Sequence, residues 1–117
     1  MPGSVMLREG KVVVVVAGFH SEEDAKRCAE QVNDLLDRKT GGELVVDLTE
    51  IDGFSREARE VWQSYFKIYA KIVHTLTIVG GTALARMASA AVCLYAGIKM
   101  KTASKLADVF PEGAHPS

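Results

Sequence analysis

Asp47 and Asp52 lie five residues apart, and Ser55 follows closely behind them. Two carboxylates beside a hydroxyl are residue types that can do acid–base work or hold an oxygen-ligated metal. The local pattern gives each a simpler task. Asp47 closes an apolar run, Asp52-Gly53 is a turn signal, and Ser55 precedes a helical pattern whose first turn a hydroxyl can cap. His20, His74 and His115 are far apart, near element ends or in the tail. None shares an element with a cysteine or acidic residue at ligand spacing, so the sequence points to no metal and no cofactor. A Ser–His or Cys–His nucleophile would need distant residues to converge, and nothing in the order of residues indicates that. Gly80-Gly81-Thr82 stands where a strand passes into a helix, and backbone N–H groups there can hold an anion. The segment fits neither a G-x-G-x-x-G fingerprint nor a P-loop, which leaves a tight turn as the simpler reading and an anion site as the alternative. Lys99, Lys101 and Lys105 form the dense basic cluster. Protection of an edge strand explains them; contact with an acidic partner or with headgroups is the other reading.

The elements that must position these residues are readable from composition and periodicity. A chain of 117 residues, 48% hydrophobic and 25% charged, suits a single globular domain. A net charge of -1 gives no general attraction to nucleic acid. No secretory leader is visible, and neither Val12 to Ala17 nor Ala83 to Ile98 reaches the roughly 20 apolar residues of a membrane span. Cys28 and Cys93 sit in separate helical patterns and read as buried thiols, which together with the missing leader predicts a cytoplasmic protein.

Ser4 to Leu7, a turn at Arg8-Glu9-Gly10-Lys11, and Lys11 to Ala17 predict an N-terminal hairpin. The unbroken valine run in its second arm implies a strand buried on both faces. Ser21 caps a helix that opens on Glu22-Glu23-Asp24, runs along the stripe from Ala25 to Leu36, and meets Arg38, Lys39 and Gly41-Gly42 at its end. Glu43 to Leu48 predicts a strand and Thr49 to Phe54 a loop. A second helix runs from the Ser55 cap to about Val73, with Ala58, Val61, Trp62, Tyr65, Ile68, Tyr69 and Ile72 on its core face. Thr75 to Val79 is a strand, Thr82 caps a third helix from Ala83 to Ala96, and Gly97 ends it. Lys99 to Thr102 is a short edge strand, Ser104 to Phe110 a last helix, and residues 111–117 a flexible tail. The fold class is therefore α/β: one domain over residues 4–110, ordered β-β-α-β-α-β-α-β-α, around a mixed, mostly parallel sheet.

The hairpin VMLREGKVVVVVAGF, the strand VVDL, the loop TEIDGF with a helix opening at Ser55, the strand into Gly80-Gly81 and the closing GIKMK together resemble the STAS domains, in particular the SpoIIAA-like branch, which is also similar to the lipid-binding Sec14 fold. The resemblance implies a non-enzymatic regulatory module that binds a protein partner through the surface around the start of the second helix, here Asp52, Ser55 and Arg56. In many STAS domains a serine in a D-S-x-G motif is phosphorylated. This chain departs from that motif, with Ser55-Arg56 in its place and no glycine following.

The third helix carries more apolar residues than one buried face needs: Leu84, Met87, Val92, Leu94 and Tyr95 stand among five alanines between Ala83 and Ala91. The surplus predicts either a protein contact, a homodimer included, or the wall of a cavity for a small apolar or lipid-like ligand. A protein-binding regulator is the leading expectation, and a carrier or sensor of such a ligand is the alternative.

Overall fold

The structure is a computed structural model, and it describes residues 3–36 and 42–110. Strand β1 (Gly3–Arg8) and strand β2 (Lys11–His20) form the hairpin. Its two-residue turn places Glu9 and Gly10 at φ 50° and 80°, the left-handed geometry that suits a tight hairpin between twisted strands. Helix α1 (Glu22–Leu36) follows, then β3 (Glu43–Phe54), α2 (Arg56–Tyr69), β4 (Thr75–Val79), α3 (Ala83–Ala96) and β5 (Lys99–Ala103).

The sheet order is β1-β2-β3-β4-β5. β1 runs antiparallel to β2, and every later neighbour is parallel. From β2 onward each strand is added on the same side of its predecessor, so crossovers of one hand place all three helices on one face. Val12, Val14 and Val16 point to that face and join Leu44, Leu76 and Ile78 in the main core. Val13, Val45 and Val79 point the other way, against Phe110 and the half-buried Leu106 and Val109. The valine run is thus covered on both sides, and among the described residues the second cover comes from the C-terminal segment.

Helix starts follow their caps. Ser21 Oγ accepts from Asp24 N–H at 3.2 Å while the Asp24 carboxylate accepts from Ser21 N–H at 3.3 Å. Two donors that the first turn would leave open are thereby satisfied reciprocally. Thr82 Oγ1 accepts from Ala85 N–H, and Gly97 at φ 81° ends α3 in the left-handed region that costs glycine least. The expected end of α1 at Arg38, Lys39 and Gly41 lies outside the described residues, as do the tail at 111–117 and His115.

Four expectations are corrected. Thr49 to Phe54 is not a loop but the second half of β3, since β2 continues to His20 and pairs with it through Phe19–Gly53 and His20–Phe54 across two register shifts. Those bulges break the alternation that marks a strand, which hid it in the sequence. α2 stops at Tyr69 rather than near Val73; Ile72 and Val73 N–H both turn back to the Tyr69 carbonyl, and Val73 is buried beyond the helix. Ile68, expected on the core face of α2, is 54% exposed. The last helix reduces to one short turn, Leu106–Asp108, without a side-chain cap.

Candidate functional site

Asp52, Ser55 and Arg56 lie together where β3 passes into α2. Asp52 is exposed at the strand end and Arg56 is exposed in the first helical turn, 3.9 Å from Glu60. Ser55 is extended, at φ -83° and ψ 159°, and its Oγ accepts from Ala58 N–H at 3.0 Å. Its hydroxyl is therefore a helix cap. The Asp47 carboxylate is likewise engaged, accepting from the N–H and the hydroxyl of Thr49 at 3.0 and 2.6 Å. Among the described residues no hydrogen bond joins Asp47 or Asp52 to Ser55, His20 or His74.

Gly80 and Gly81, at φ 62° and 94°, are the tight turn at the end of β4. A Cβ on Gly81 would lie 2.9 Å from Leu48 Cβ, and Gly80 N–H donates to the Ala103 carbonyl. Close packing explains both glycines, and Thr82 is occupied as the α3 cap. Lys99 and Lys101 are exposed on the edge strand β5, with Met100 turned to the main core.

The polar group that the structure singles out is His20, the last residue of β2 and 4% exposed. Trp62 Nε1–H donates to His20 Nε2 at 2.9 Å. The two rings lie nearly parallel with centroids 6.1 Å apart, and Trp62 meets Phe66 edge-on at 5.8 Å. An acceptor at Nε2 requires the neutral tautomer with its proton on Nδ1. Burial pushes the His20 pKa below its usual value; nearby Asp24 pushes it up and Arg27 pushes it down. Nδ1 is itself buried without a partner. The His20 carbonyl accepts from Ser55 N–H at 3.1 Å, so one residue ties the end of β2 to the start of α2.

His20 and Trp62 line a cavity of about 80 Å³ between the sheet and helices α2 and α3. Leu48, Ile51 and Phe54 come from β3, Leu76 and Ile78 from β4, and Ala85, Ala88, Ser89 and Val92 from α3. Ser89 hydroxyl donates to the Ala85 carbonyl, His20 and Trp62 are bonded to each other, and Arg59 is the charged residue of the wall. Phe54, Arg59 and Ala88 also line a shallower surface groove that continues over Arg56, Leu84, Met87 and Ala91. No residue pattern announced this arrangement: His20 and Trp62 are 42 positions apart and each sits in an ordinary element. A histidine closing an apolar strand and the single tryptophan of the chain were the available signals.

α3 divides its surplus between two tasks. Ala85, Val92 and Cys93 are buried, whereas Leu84, Met87, Leu94 and Tyr95 are 67%, 67%, 84% and 54% exposed. Leu84, Met87, Ala91 and Leu94 follow at helical spacing and form one outward stripe. Tyr95 is partly covered by Lys67, whose Nζ lies 4.7 Å from the ring centroid. Cys28 and Cys93 are free and buried; desolvation raises both thiols, that of Cys93 to about 12. No group of three or more metal-ligating side chains occurs among the described residues, and no helix there is long and apolar enough to cross a membrane.

No family model and no curated protein matches the chain in sequence. The backbone does match solved structures. One is a Shewanella loihica protein of the DUF3478 family, described as having a SpoIIAA-like fold, with 17% identity, a TM-score of 0.70 and coverage of 93% of this chain and 90% of that one. Another is the anti-sigma factor antagonist SpoIIAA in its unphosphorylated form, with 7% identity, a TM-score of 0.69 and coverage of 98% and 99%. The chain has the SpoIIAA-like fold. The Bacillus cell fate determinant SpoIIAA in its phosphorylated form agrees, with 8% identity, a TM-score of 0.68 and coverage of 93% and 97%. At such identities the likeness speaks for the SpoIIAA-like fold alone, and function has to be argued from the site.

Proposed function

We propose that this SpoIIAA-like domain is a regulatory module that works by binding another protein, and that its contact surface is the outer face of α3 with the adjoining start of α2. The observation that carries this reading is the stripe Leu84, Met87, Ala91 and Leu94, whose three large members are more than half exposed. Contiguous exposed apolar side chains on a small domain are a recurrent mark of a protein contact. Arg56 and Arg59 flank the groove beside Leu84 and Met87, so the complementary surface is an amphipathic segment with acidic residues at its edge. Asp52 and Ser55 border the same region. The antagonist role carried by the description of SpoIIAA is consistent with such a module.

The reading is non-enzymatic because the side chains with reactive potential have structural tasks: Asp47 holds Thr49, Ser55 caps α2, and Cys93 is a buried thiol. Regulation by a phosphate on Ser55 is not part of it, since that hydroxyl is committed to Ala58 N–H and Arg56 follows where a D-S-x-G motif has its serine.

The test is a photo-crosslinking amino acid placed at Met87 in cells that naturally produce the protein, followed by purification of the adduct and a binding titration with the isolated partner. One heterologous protein is expected, and Leu94→Asp is expected to weaken it about tenfold or more, as loss of a buried leucine contact implies, with the melting temperature unchanged. Self-adducts alone would instead make the stripe a homodimer contact, and an affinity indifferent to Leu94→Asp would remove the stripe from the interface.

A further inference from the structure

The two edges of the sheet are finished differently. β5 is short and has Lys99 and Lys101 exposed along it, charges of the kind that keep an edge strand from pairing with another chain. β1 has no such guard. From Gly3 to Leu7 it carries no charge and no proline, and its pairing with β2 runs from Gly3–Val16 to Arg8–Lys11 without a bulge. Among the described residues, β2 is its one sheet neighbour. Met6 is 41% and Leu7 50% exposed, and alternation puts one on each face of this edge. A flat, uncharged, apolar edge is a template for a further strand.

The hairpin determines which backbone groups are open. Glu9 and Gly10 make a two-residue turn, so the flanking Arg8 and Lys11 exchange hydrogen bonds. Bonded and non-bonded pairs alternate along an antiparallel ladder, which turns the N–H and C=O groups of Leu7, Val5 and Gly3 toward the free edge.

The side chains determine what fits there. Residues opposite each other on neighbouring strands share a face of the sheet, so a second copy of β1 can pair antiparallel only in registers that keep this parity. The register centred on Met6 sets Met6 against the partner's Met6 and Leu7 against the partner's Val5, so both exposed apolar side chains gain an apolar neighbour. Met6 stands in one row with Val13 and Val45, and pairing in this register continues that row into the second copy. Arg8, the one charged residue of β1, falls opposite the partner's Ser4, and its guanidinium is held 4.2 Å from the Phe110 ring centroid. No like charges face each other across the pair.

We infer that β1 is a dimerisation edge, through which two copies of this chain join by antiparallel β1–β1 pairing about a two-fold axis at Met6. The two five-stranded sheets become one. The two-fold closes the assembly, and the lysines of β5 guard both outer edges against further growth. The inference goes beyond the protein-binding reading and stands without it, because α3 packs over β3, β4 and β5, away from β1.

One strand pair is a small interface, so the dimer is expected to dissociate with a Kd of about 10–100 µM. Sedimentation velocity of the purified chain across that range is expected to show a monomer–dimer equilibrium. The amides of Val5 and Leu7 are expected to exchange more slowly as concentration rises. Met6→Lys, at an exposed position, sets two ammonium groups opposite each other and is expected to weaken the dimer about tenfold or more, with the melting of the monomer unchanged. Leu94→Asp, on α3, is expected to leave the dimer as it is. The Met6 pair is a non-bonded one, with Cα atoms about 4.5 Å apart, inside the range a disulfide spans. Met6→Cys is therefore expected to form a disulfide-linked dimer under mild oxidation, and Ser4→Cys to form far less. A chain that stays monomeric across the range, a dimer indifferent to Met6→Lys, or one abolished by Leu94→Asp would overturn the β1 assignment. Cross-linking of Ser4→Cys equal to or above that of Met6→Cys would overturn the register.

Discussion

The hydrogen bond between Trp62 and His20 makes a quantitative prediction that separates it from mere proximity of two rings. In Trp62→Phe the aromatic contact with Phe66 is largely kept, but His20 Nε2 loses its donor while remaining buried. An orphaned buried acceptor costs about 1–3 kcal/mol, and this is the expected loss of unfolding free energy. His20→Phe has the opposite asymmetry. Trp62 is only half-buried, so its N–H can turn to water, and the substitution also removes the unpartnered Nδ1. Its expected cost is below about 1 kcal/mol. In the double variant the orphan is gone, and the pair is replaced by two apolar rings of similar shape. The double-mutant cycle is therefore expected to close with a coupling of about 1 kcal/mol or more. Urea unfolding followed by circular dichroism is the assay, because removing Trp62 removes the chain's single tryptophan. The midpoints carry the effect, and unchanged slopes show that the compactness of both states is preserved. Additivity of the two single changes to within about 0.3–0.5 kcal/mol would refute the claim that this bond locks the end of β2 to α2.

Further outcomes follow from the same contacts. Burial lowers the His20 pKa below its unfolded value of 6.5, so the unfolded chain binds the proton first; its contribution to stability is full above pH 6.5 and is lost as pH falls from there toward the folded pKa. Urea midpoints measured between pH 7.5 and pH 5 are expected to fall more steeply for the wild type than for His20→Phe, and equal slopes would contradict the assignment. Ser55→Ala removes the acceptor of Ala58 N–H and is expected to cost about 0.5–2 kcal/mol, with Ser55→Asp retaining most of the wild-type stability, as read by thermal melting. Cys93, whose thiol is raised to about 12 by burial, is expected to react with a thiol reagent at pH 8 only at the rate of unfolding, a prediction checked by following modification with and without urea.

Much of the fold was legible from local patterns. Ser21, Ser55 and Thr82 mark helix starts by their own hydroxyls, and Gly97 marks a helix end by its conformation, all within a turn of the residue concerned. The valine run announced a covered strand because five β-branched residues in a row suit no amphipathic helix. Where the reading failed, the deciding partner was distant. Thr49 to Phe54 looks like a loop until Ala17 to His20 is laid beside it, and Ile68 fits the helical stripe of α2 but is exposed while the neighbouring Tyr69 is buried.

The candidate site shows the same division. The sequence determined that α3 has more apolar surface than a core face requires, since that is a property of residue type and spacing. Only the tertiary structure decided that β2 and α2 bring His20 and Trp62 within 2.9 Å, that the His20 ring is buried with one nitrogen unpartnered, and that Arg59 lines the space beside them. A hydrogen bond spanning 42 residues, and a cavity walled by three strands and two helices, exist only once the crossovers have fixed where each element lies, so no local rule could have announced them.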